Sequence, residues 1–127
     1  MMIKPDAVER NLIGEILKRV EEDGFKIIDL KMAELTRSRA EEFYEVHRGK
    51  PFFEKLVDYM STGKVVAVVL DGADAVKKLR ELAGATDPKD AKKGTIRFDL
   101  ALDGRRNSVH ASDSARNAKF ESKFFFG

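Results

Sequence analysis

The feature that most constrains the fold is an unbroken apolar run at residues 65–70, with the sequence VVAVVL. Most of these residues are β-branched, and a continuous run of this kind is typical of a strand at the centre of a sheet. It is the longest apolar run in the chain, and it is far shorter than the roughly 20 residues that cross a bilayer as a helix. The sequence therefore predicts a central strand here, and it predicts neither a membrane-spanning segment nor a signal peptide.

The segments before this run alternate between strand and helix patterns. Residues 1–4 fit the end of a strand, which Pro5 stops because proline has no N–H to donate to a sheet. Asp6 is predicted to cap a single helix that ends at Gly24, with Glu9 in capping-box spacing. The next apolar residues have the period-2 spacing of a half-buried strand, namely Ile28, Leu30 and Met32.

Helical patterns dominate the rest of the chain. Thr36 or Ser38 can cap one helix, and residues 49–51 break the pattern before a second helix that begins near Phe53. A third helix ends at Gly84. Residues 86–106 are predicted to form a long polar loop, residues 107–110 a short strand, and residues 114–125 a final helix.

The predicted order of elements is β-α-β-α-α-β-α-loop-β-α. This order fits the split βαβ plan, a ferredoxin-like α+β sandwich in which helices cover a four-stranded antiparallel sheet. At 127 residues the chain has the length of one domain, and no repeat or linker divides it. We therefore expect a single domain over residues 1–127.

Charge and composition exclude several classes of function. Lysine and arginine total 24 against 22 acidic residues, and a net charge of +2 is too balanced for nonspecific binding to nucleic acid or membranes. The chain has no cysteine, which rules out thiol chemistry, and two histidines are too few for a histidine-rich zinc site. We expect a cytoplasmic protein without a specific nucleic-acid or membrane partner.

His110 is the most informative candidate for chemistry. It stands in the octet NSVHASDS at residues 107–114, beside a Ser-Asp-Ser run that signals a helix start. Backbone N–H groups at a helix start favour anions, so a phosphoryl group could be received there. A strand-end histidine that bonds to a nearby helix cap is the commoner situation, and the octet alone leaves both interpretations open.

Phosphate binding would have to rely on scattered side chains, because the sequence has no Walker A loop, dinucleotide fingerprint or kinase catalytic loop. The candidates are Lys4, Arg80, Thr86 and Arg97. Arginine suits this role because its planar fork matches two phosphate oxygens, although each candidate alone is more often a solvated surface group. Phe52 could stack on a base or belong to the core, and His47 could face the same cleft or be an ordinary partly buried histidine.

Five blocks of sequence, in order and over essentially the whole chain, resemble the nucleoside diphosphate kinase family. They are IKPDAV at residues 3–8, FYEVHRGKPFF at residues 43–53, GATDP at residues 84–88, GTIR at residues 94–97 and NSVHASDS at residues 107–114. The histidine octet is highly specific for this family.

The resemblance implies a phosphotransferase that moves the γ-phosphate of a nucleoside triphosphate to a nucleoside diphosphate through a phosphohistidine, in a ping-pong reaction. On the family pattern His110 is the phosphorylated nucleophile, and Glu121 helps to orient it. Magnesium is expected to arrive on the nucleotide phosphates, with no direct protein ligand. Asp113 could approach the metal only through water.

The nucleotide-binding positions follow from the same resemblance. The positions that hold the phosphates match Lys4, Tyr44, Arg80, Thr86 and Arg97. Lys4 and Asn107 match positions that contact the ribose hydroxyls, and Phe52 matches the position on which the base stacks. Gly104 departs from the pattern, because a larger apolar residue often backs the base there.

The resemblance also implies a homo-oligomer, a tetramer or hexamer built from dimers, with each active site inside one subunit. One alternative is a nucleotide-binding or regulatory module of the same fold that has lost catalysis. The intact candidate residues argue against it, because a retired site usually loses such groups. A ferredoxin-like RNA-binding module would need exposed aromatic residues on adjacent strands, whereas the aromatic residues here fall mainly on predicted helices.

Overall fold

Four strands form one antiparallel sheet, and helices cover both of its faces. The computed structural model describes residues 1–127. The strands are β1 (Met2–Ile3), β2 (Lys26–Glu34), β3 (Lys64–Asp71) and β4 (Val109–His110), in the spatial order β2-β3-β1-β4. The helices are α1 (Pro5–Glu9), α2 (Ile13–Glu22), α3 (Arg37–Phe43), α4 (Phe53–Met60), α5 (Ala75–Ala83), α6 (Ile96–Leu100) and α7 (Ala115–Phe126), with a 3-10 turn at Glu45–His47. The predicted α+β sandwich is confirmed.

The apolar run at residues 65–70 lies within β3, between β1 and β2, as its composition predicts. Its side chains alternate between the two faces of the sheet. Val66 and Val68 pack with apolar residues of α1, α2, α5 and α6, whereas Val65 packs with those of α3, α4 and α7. The sheet therefore separates two apolar cores.

The short strand β1 places the beginning of the sequence beside the segment that contains His110. Met2 pairs with His110 and Ile3 with Val109, so the chain that leaves β1 at Lys4 runs next to the chain that enters β4. The backbone N–H of Lys4 donates to the carbonyl of Ser108 at 2.9 Å. Lys4 and the histidine octet, which lie about a hundred residues apart, are thus neighbours in the fold.

The prediction of one helix between Asp6 and Gly24 is wrong. Two helices occupy this stretch, and between them Asn11 adopts a left-handed conformation with φ +60°. Lys4 rather than Asp6 is the N-cap residue of α1, and no side chain caps that helix. The carboxylate of Asp6 is buried and bonds to distant groups instead, and Pro5 supplies the helical start because its fixed φ suits the first helical position.

The strand predicted around Ile28, Leu30 and Met32 exists, but its expected half-burial is wrong. These side chains are 57%, 49% and 51% exposed. The strand β2 is at the edge of the sheet and pairs only with β3, with a register irregularity between Ile27 and Asp29. Leu30 and Met32 pair with Val68 and Val66 and so lie on the same face of the sheet as one of the cores, but at the edge of the sheet they extend beyond the helices that cover that core.

The segment predicted as a loop, residues 86–106, contains the short helix α6. Thr95 caps this helix by accepting a hydrogen bond from the Phe98 N–H. One and a half turns are too few to give a visible period in the sequence.

The strand predicted at residues 107–110 is shorter than expected, because Ser108 has a φ of +74° and cannot continue an extended chain. The final helix begins as predicted, with Ser114 accepting from the Asn117 N–H.

None of these helices combines the length and the apolar character that crossing a membrane requires.

Candidate active site

One cleft of about 770 Å³ is lined by every residue to which the sequence analysis assigned a role in chemistry or nucleotide binding. These residues come from β4, from the three helices α5, α6 and α7, and from the connections between elements, so only the folded chain brings them together. They are Lys4, Tyr44, Phe52, Arg80, Thr86, Arg97, Asn107, His110, Asp113 and Glu121. His47 also lines this cleft, as one of its two interpretations predicted.

His110 is held at the end of β4 by a carboxylate from α7. Its Nε2 atom lies 2.8 Å from Oε1 of Glu121, and the hydroxyl of Ser112 donates to the same oxygen at 2.7 Å. Burial alone would raise the pKa of Glu121, but the bonds from His110 and Ser112 outweigh it and hold that pKa below its usual value. Glu121 is therefore ionised at neutral pH and can only accept hydrogen bonds.

The protonation of the imidazole follows from this contact. An ionised carboxylate beside Nε2 requires that this nitrogen carry the hydrogen, which leaves the lone pair of the neutral ring on Nδ1. Nδ1 makes no hydrogen bond with the protein, and His110 lines the cleft. The ring also packs against those of Phe43 and Tyr44 in T-shaped arrangements, at centroid distances of 5.2 and 5.8 Å. These contacts fix the imidazole while leaving one nitrogen available as a nucleophile.

Lys4 and Asn107 form a buried pair at one end of the cleft. Nζ of Lys4 donates to Oδ1 of Asn107 at 2.8 Å and to the carbonyl of Arg105 at 2.6 Å. The amide nitrogen of Asn107 donates to the carbonyls of Thr86 and Gly104, each at 3.1 Å. Burial lowers the pKa of Lys4 to about 8, although the nearby Asp6 opposes this shift. Lys4 is thus mostly charged at neutral pH, in a fixed position.

Arg97 and Arg80 supply two further cations. Arg97 donates through Nη1 to the carbonyl of Gly84 and through Nη2 to that of Val109, each at 2.8 Å. Its Nε is buried and has no partner in the protein. Burial, and then the charge of Arg80, lower the pKa of Arg97 to about 10, so it remains charged at neutral pH. Arg80 donates to the carbonyl of Ala111 at 3.2 Å.

The position of Arg97 depends on Gly84. Gly84 has a φ of +89°, and a Cβ atom built there would lie 2.5 Å from Oγ1 of Thr95. Only glycine combines this conformation with so close an approach. The GATDP and GTIR blocks are thus physically linked, because the first begins with the glycine that lets α6 lie close and present Arg97.

The opposite end of the cleft is aromatic and more open. Phe52 is 44% exposed, and its ring lies 5.3 Å from that of His47. The ring of His47 is stacked on that of Tyr44 at 6.3 Å. Tyr44 is buried, which raises the pKa of its hydroxyl far above the usual value, so the group remains a hydrogen-bond donor. The hydroxyl has no protein partner, and both it and the Phe52 ring are available to a ligand.

Asp113 lies at the exposed rim of the cleft. Its carboxylate accepts a hydrogen bond from the Asn117 amide at 2.5 Å, which lowers the pKa of Asp113. No group of three or more histidine, cysteine, aspartate or glutamate residues is placed to hold a metal ion.

The sequence does not reveal all of this site. Its pattern marks Ser112 only as part of a helix-start signal, whereas in the structure Ser112 donates a hydrogen bond to Glu121; its place in the histidine octet is the one signal that points to it. Further lining residues have no predicted role. Val46, Val109 and Ala111 lie within the quoted blocks of sequence, whereas no motif marks Leu56, Asp103, Arg105 and Asn117.

Comparison with known proteins agrees with these observations. The family model of nucleoside diphosphate kinase matches residues 1–127. A nucleoside diphosphate kinase of Desulfatibacillum aliphaticivorans is 54% identical over 125 residues, which cover 98% of this chain and 91% of that protein. The structure is similar to that of the Aquifex aeolicus nucleoside diphosphate kinase, with a TM-score of 0.96, 46% identity and coverage of 99% of this chain and 92% of that one.

A second similar structure is a halophilic nucleoside diphosphate kinase from Halobacterium salinarum in complex with CDP. It has a TM-score of 0.94 and 42% identity, and the match covers 98% of this chain and 84% of that one.

Proposed function

The chain belongs to the nucleoside diphosphate kinase family and is a phosphotransferase, and from this premise we propose that His110 carries the phosphoryl group between two nucleotides. The observation that carries the proposal is the 2.8 Å contact between Nε2 and Glu121, which leaves the lone pair on Nδ1. The chain has no cysteine, and its other histidine, His47, has no carboxylate partner. His110 is therefore the best-prepared nucleophile in the cleft.

The proposed first step is an attack of Nδ1 on the γ-phosphorus of a bound nucleoside triphosphate. A nitrogen–phosphorus bond forms, the bond from phosphorus to the β,γ-bridging oxygen breaks, and the nucleoside diphosphate leaves with that electron pair. The imidazole ring becomes positively charged, and the carboxylate of Glu121 stabilises this charge through Nε2–H. In the second step a terminal β-phosphate oxygen of an acceptor diphosphate attacks the phosphorus, the nitrogen–phosphorus bond breaks, and its electron pair returns to Nδ1, which restores neutral His110.

We propose that Arg97, Arg80 and Lys4 neutralise the phosphates, with the hydroxyls of Tyr44 and Thr86 as further donors. Phosphoryl transfer needs positioning and charge stabilisation more than covalent help from the protein. Arg97 and Lys4 are already held by backbone carbonyls, so they reorganise little when the charge develops. The unpartnered Nε of Arg97 is a buried donor that a phosphate oxygen can satisfy. Lys4 and Asn107 also contact the ribose in this proposal.

Magnesium is the proposed cofactor, and it is carried by the nucleotide. The cleft offers no cluster of protein ligands, but it has an ionised carboxylate, Asp113, at its rim. This donor set fits a metal held mainly by phosphate oxygens and contacted by Asp113 through water. When bound, Mg²⁺ supplies charge neutralisation between the phosphates.

The base is proposed to stack on Phe52. The exposed ring of Phe52 offers a π-face, and every nucleobase has a π-face that can stack on it. Recognition through stacking, with few contacts to base edges, tolerates all common bases. The proposed substrates are therefore nucleoside di- and triphosphates in general. No observation favours the alternative of a retired binding module.

The experiment that tests the nucleophile is labelling with γ-³²P-ATP and Mg²⁺. We expect an acid-labile, base-stable label on the protein, located on His110 by mass spectrometry and absent in His110→Ala. His47→Gln is the matched control, because it removes the only other imidazole and should retain the label. Label on His47 or on a serine would show that the assignment is wrong.

We propose that the protein assembles into a homo-oligomer, a tetramer or hexamer built from dimers, with each active site inside one subunit. The strand β2 has an unpaired edge and presents Ile28, Leu30 and Met32 to solvent, so a second copy of this chain is a suitable partner. Phe124 and Phe125 near the C-terminus pack on Phe43 within their own subunit, so the apolar strip of β2 is the better candidate for the contact between subunits.

Light scattering tests this assembly. We expect an oligomer that Leu30→Glu dissociates, because a carboxylate on the apolar strip cannot be buried without a partner. Lys31→Glu is the control on the same strand. A wild-type monomer that is fully active and stable to dilution would contradict the proposal.

We also propose that residues 1–127 behave as one domain, because one sheet separates both cores and one cleft draws on most elements. A single cooperative unfolding transition is expected. The proposed compartment is the cytoplasm, where nucleoside di- and triphosphates are used, and cell fractionation tests it.

A further inference from the structure

The carboxylate of Asp6 lies beneath the catalytic segment and is surrounded by donors. Its side chain is 2% exposed. Oδ1 accepts from the hydroxyl of Tyr59 at 2.7 Å, and Oδ2 accepts from the Ser108 N–H at 3.1 Å, the Ser108 hydroxyl at 3.5 Å and Arg10 at 3.2 Å. A buried carboxylate that accepts this many bonds joins α1, α4 and the chain before β4. The proposed reaction assigns no role to it.

Ser108 is the residue that this carboxylate holds, and its backbone is unusual. It has a φ of +74°, a left-handed conformation that serine rarely adopts, and it is completely buried. Its N–H donates to Asp6, and its carbonyl accepts from the Lys4 N–H at 2.9 Å. Both backbone polar groups of Ser108 are therefore fixed by the Lys4–Asp6 segment.

The strained residue lies between two proposed site residues. Asn107, which binds Lys4, immediately precedes Ser108, and His110 follows two residues later. The turn at Ser108 decides the direction in which the chain leaves Asn107 and enters β4. If Ser108 relaxed to an ordinary φ, Asn107 and His110 could not both keep their present positions.

We propose that Asp6 is a positioning residue for phosphoryl transfer, which holds Ser108 in its left-handed conformation and so sets His110 and Asn107 relative to the bound nucleotide. This inference rests on the proposed role of His110. Asp6 does not touch the nucleotide; it acts through the backbone of Ser108. Small displacements of a nucleophile have large kinetic effects, because in-line attack requires near-contact geometry.

The test is the rate of His110 phosphorylation by saturating ATP and Mg²⁺ in a single turnover, with the folded fraction checked by circular dichroism at low temperature. In Asp6→Asn an amide replaces an acceptor-only group, so one of its N–H groups faces the donors of Ser108 or Tyr59. We expect the maximal rate to fall by about a hundredfold in the folded variant. Arg10→Ala is the matched control, since it removes a donor from the same oxygen but leaves Ser108 held, and we expect its rate to remain near that of wild type.

A second substitution separates positioning from a general loss of stability. Glycine adopts a φ of +74° without strain. The double variant Asp6→Asn/Ser108→Gly is therefore expected to be phosphorylated about tenfold faster than Asp6→Asn alone. Ser108→Ala in the same background retains the strain and should restore nothing. A folded Asp6→Asn variant with the wild-type rate, or a loss that Ser108→Gly does not recover, would overturn the inference. If wild-type His110 is not phosphorylated, the proposed function fails as well, which is a distinguishable result.

Discussion

The two ends of the cleft differ in how firmly their side chains are held. At the end proposed to bind the phosphates, here called the phosphate end, Lys4, Arg97 and Asn107 each donate two hydrogen bonds to other parts of the chain. At the base end Phe52 is 44% exposed and contacts the ring of His47 and the ammonium group of Lys50. One end is rigid and charged, and the other is open and aromatic.

This difference matches two separate demands of nucleoside diphosphate kinase chemistry. Charge that develops on a transferring phosphoryl group is best stabilised by groups that are already in place. A base that only has to be accommodated needs a π-face and little else. We therefore expect substitutions at the phosphate end to lower kcat, and substitutions at the base end to raise KM.

The largest effect is expected for His110→Ala, which removes the proposed nucleophile. Exchange of phosphate between ATP and a nucleoside diphosphate should fall to background, because no other group in the cleft is prepared to replace Nδ1. A steady-state coupled assay measures this, and circular dichroism checks that the fold is kept. Substantial residual exchange in the folded variant would mean that the phosphoryl group travels by another route.

Arg97→Ala tests the rigid end next. It removes a cation fixed by Gly84 and Val109, and we expect a loss of about 2–4 kcal/mol of transition-state stabilisation, roughly 30- to 1000-fold in kcat/KM. Most of this loss should appear in kcat. The control is Arg116→Ala, which removes an exposed arginine on α7 outside the cleft. If the kcat/KM of Arg97→Ala stays within about twofold of the wild-type value, Arg97 does not stabilise the transferring phosphoryl group.

The sequence predicts most of the residues at the rigid end of the cleft, because the residue types needed there occur in recognisable motifs. The blocks around Lys4, Gly84, Arg97 and His110 identify the cleft, and the pattern of apolar residues identifies the sheet. The sequence predicts which residues supply the cations, because phosphate binding needs arginine or lysine. It does not predict their fixed orientation, because that depends on backbone carbonyls that only the fold brings close.

The errors of prediction have a common physical origin in tertiary contacts. Asp6 has the spacing of a helix cap, but its carboxylate accepts hydrogen bonds from the distant residues Tyr59 and Ser108 instead of from the backbone of its own helix. Leu30 has the spacing of a half-buried strand residue, but the edge position of β2 leaves it exposed. Local patterns cannot reveal contacts that join residues so far apart in the chain.

A smaller effect is expected from the titration of Lys4, which should lower the activity at alkaline pH. Burial lowers the pKa of Lys4 to about 8, so its charge is present below pH 8 and is lost as the pH rises through that value. We expect kcat/KM to fall by about tenfold for each pH unit above this point. Burial, and then the charge of Arg80, lower the pKa of Arg97 to about 10, so Arg97 keeps its charge through the range in which Lys4 titrates.

Lys4→Arg is the control for this assignment, because a guanidinium remains charged across this range. Its activity can be lower overall, but the decline near pH 8 should disappear. An identical decline in both proteins would assign the titration to another group.

The smallest effect is expected at the open end, for Phe52→Ala. Loss of one stacking face costs about 1 kcal/mol, roughly fivefold, and it should appear as a higher KM with little change in kcat. The loss should be larger for purine than for pyrimidine nucleotides, because purines present a larger π-face. Steady-state kinetics with ATP, GTP, CTP and UTP as donors measures this difference.

Phe98→Ala provides the control for Phe52→Ala, since Phe98 is equally exposed but lies outside the cleft. Its kinetic constants should match those of the wild type, which would assign the loss to stacking rather than to a missing surface phenylalanine. Whether Phe52→Ala changes kcat or KM decides between two roles for the base end. A fall in kcat at unchanged KM for Phe52→Ala would mean that the base end also positions the reacting phosphates, and the contrast between the two ends would no longer hold. A rise in KM alone would sharpen that contrast, because binding and chemistry would then depend on different ends of the same cleft.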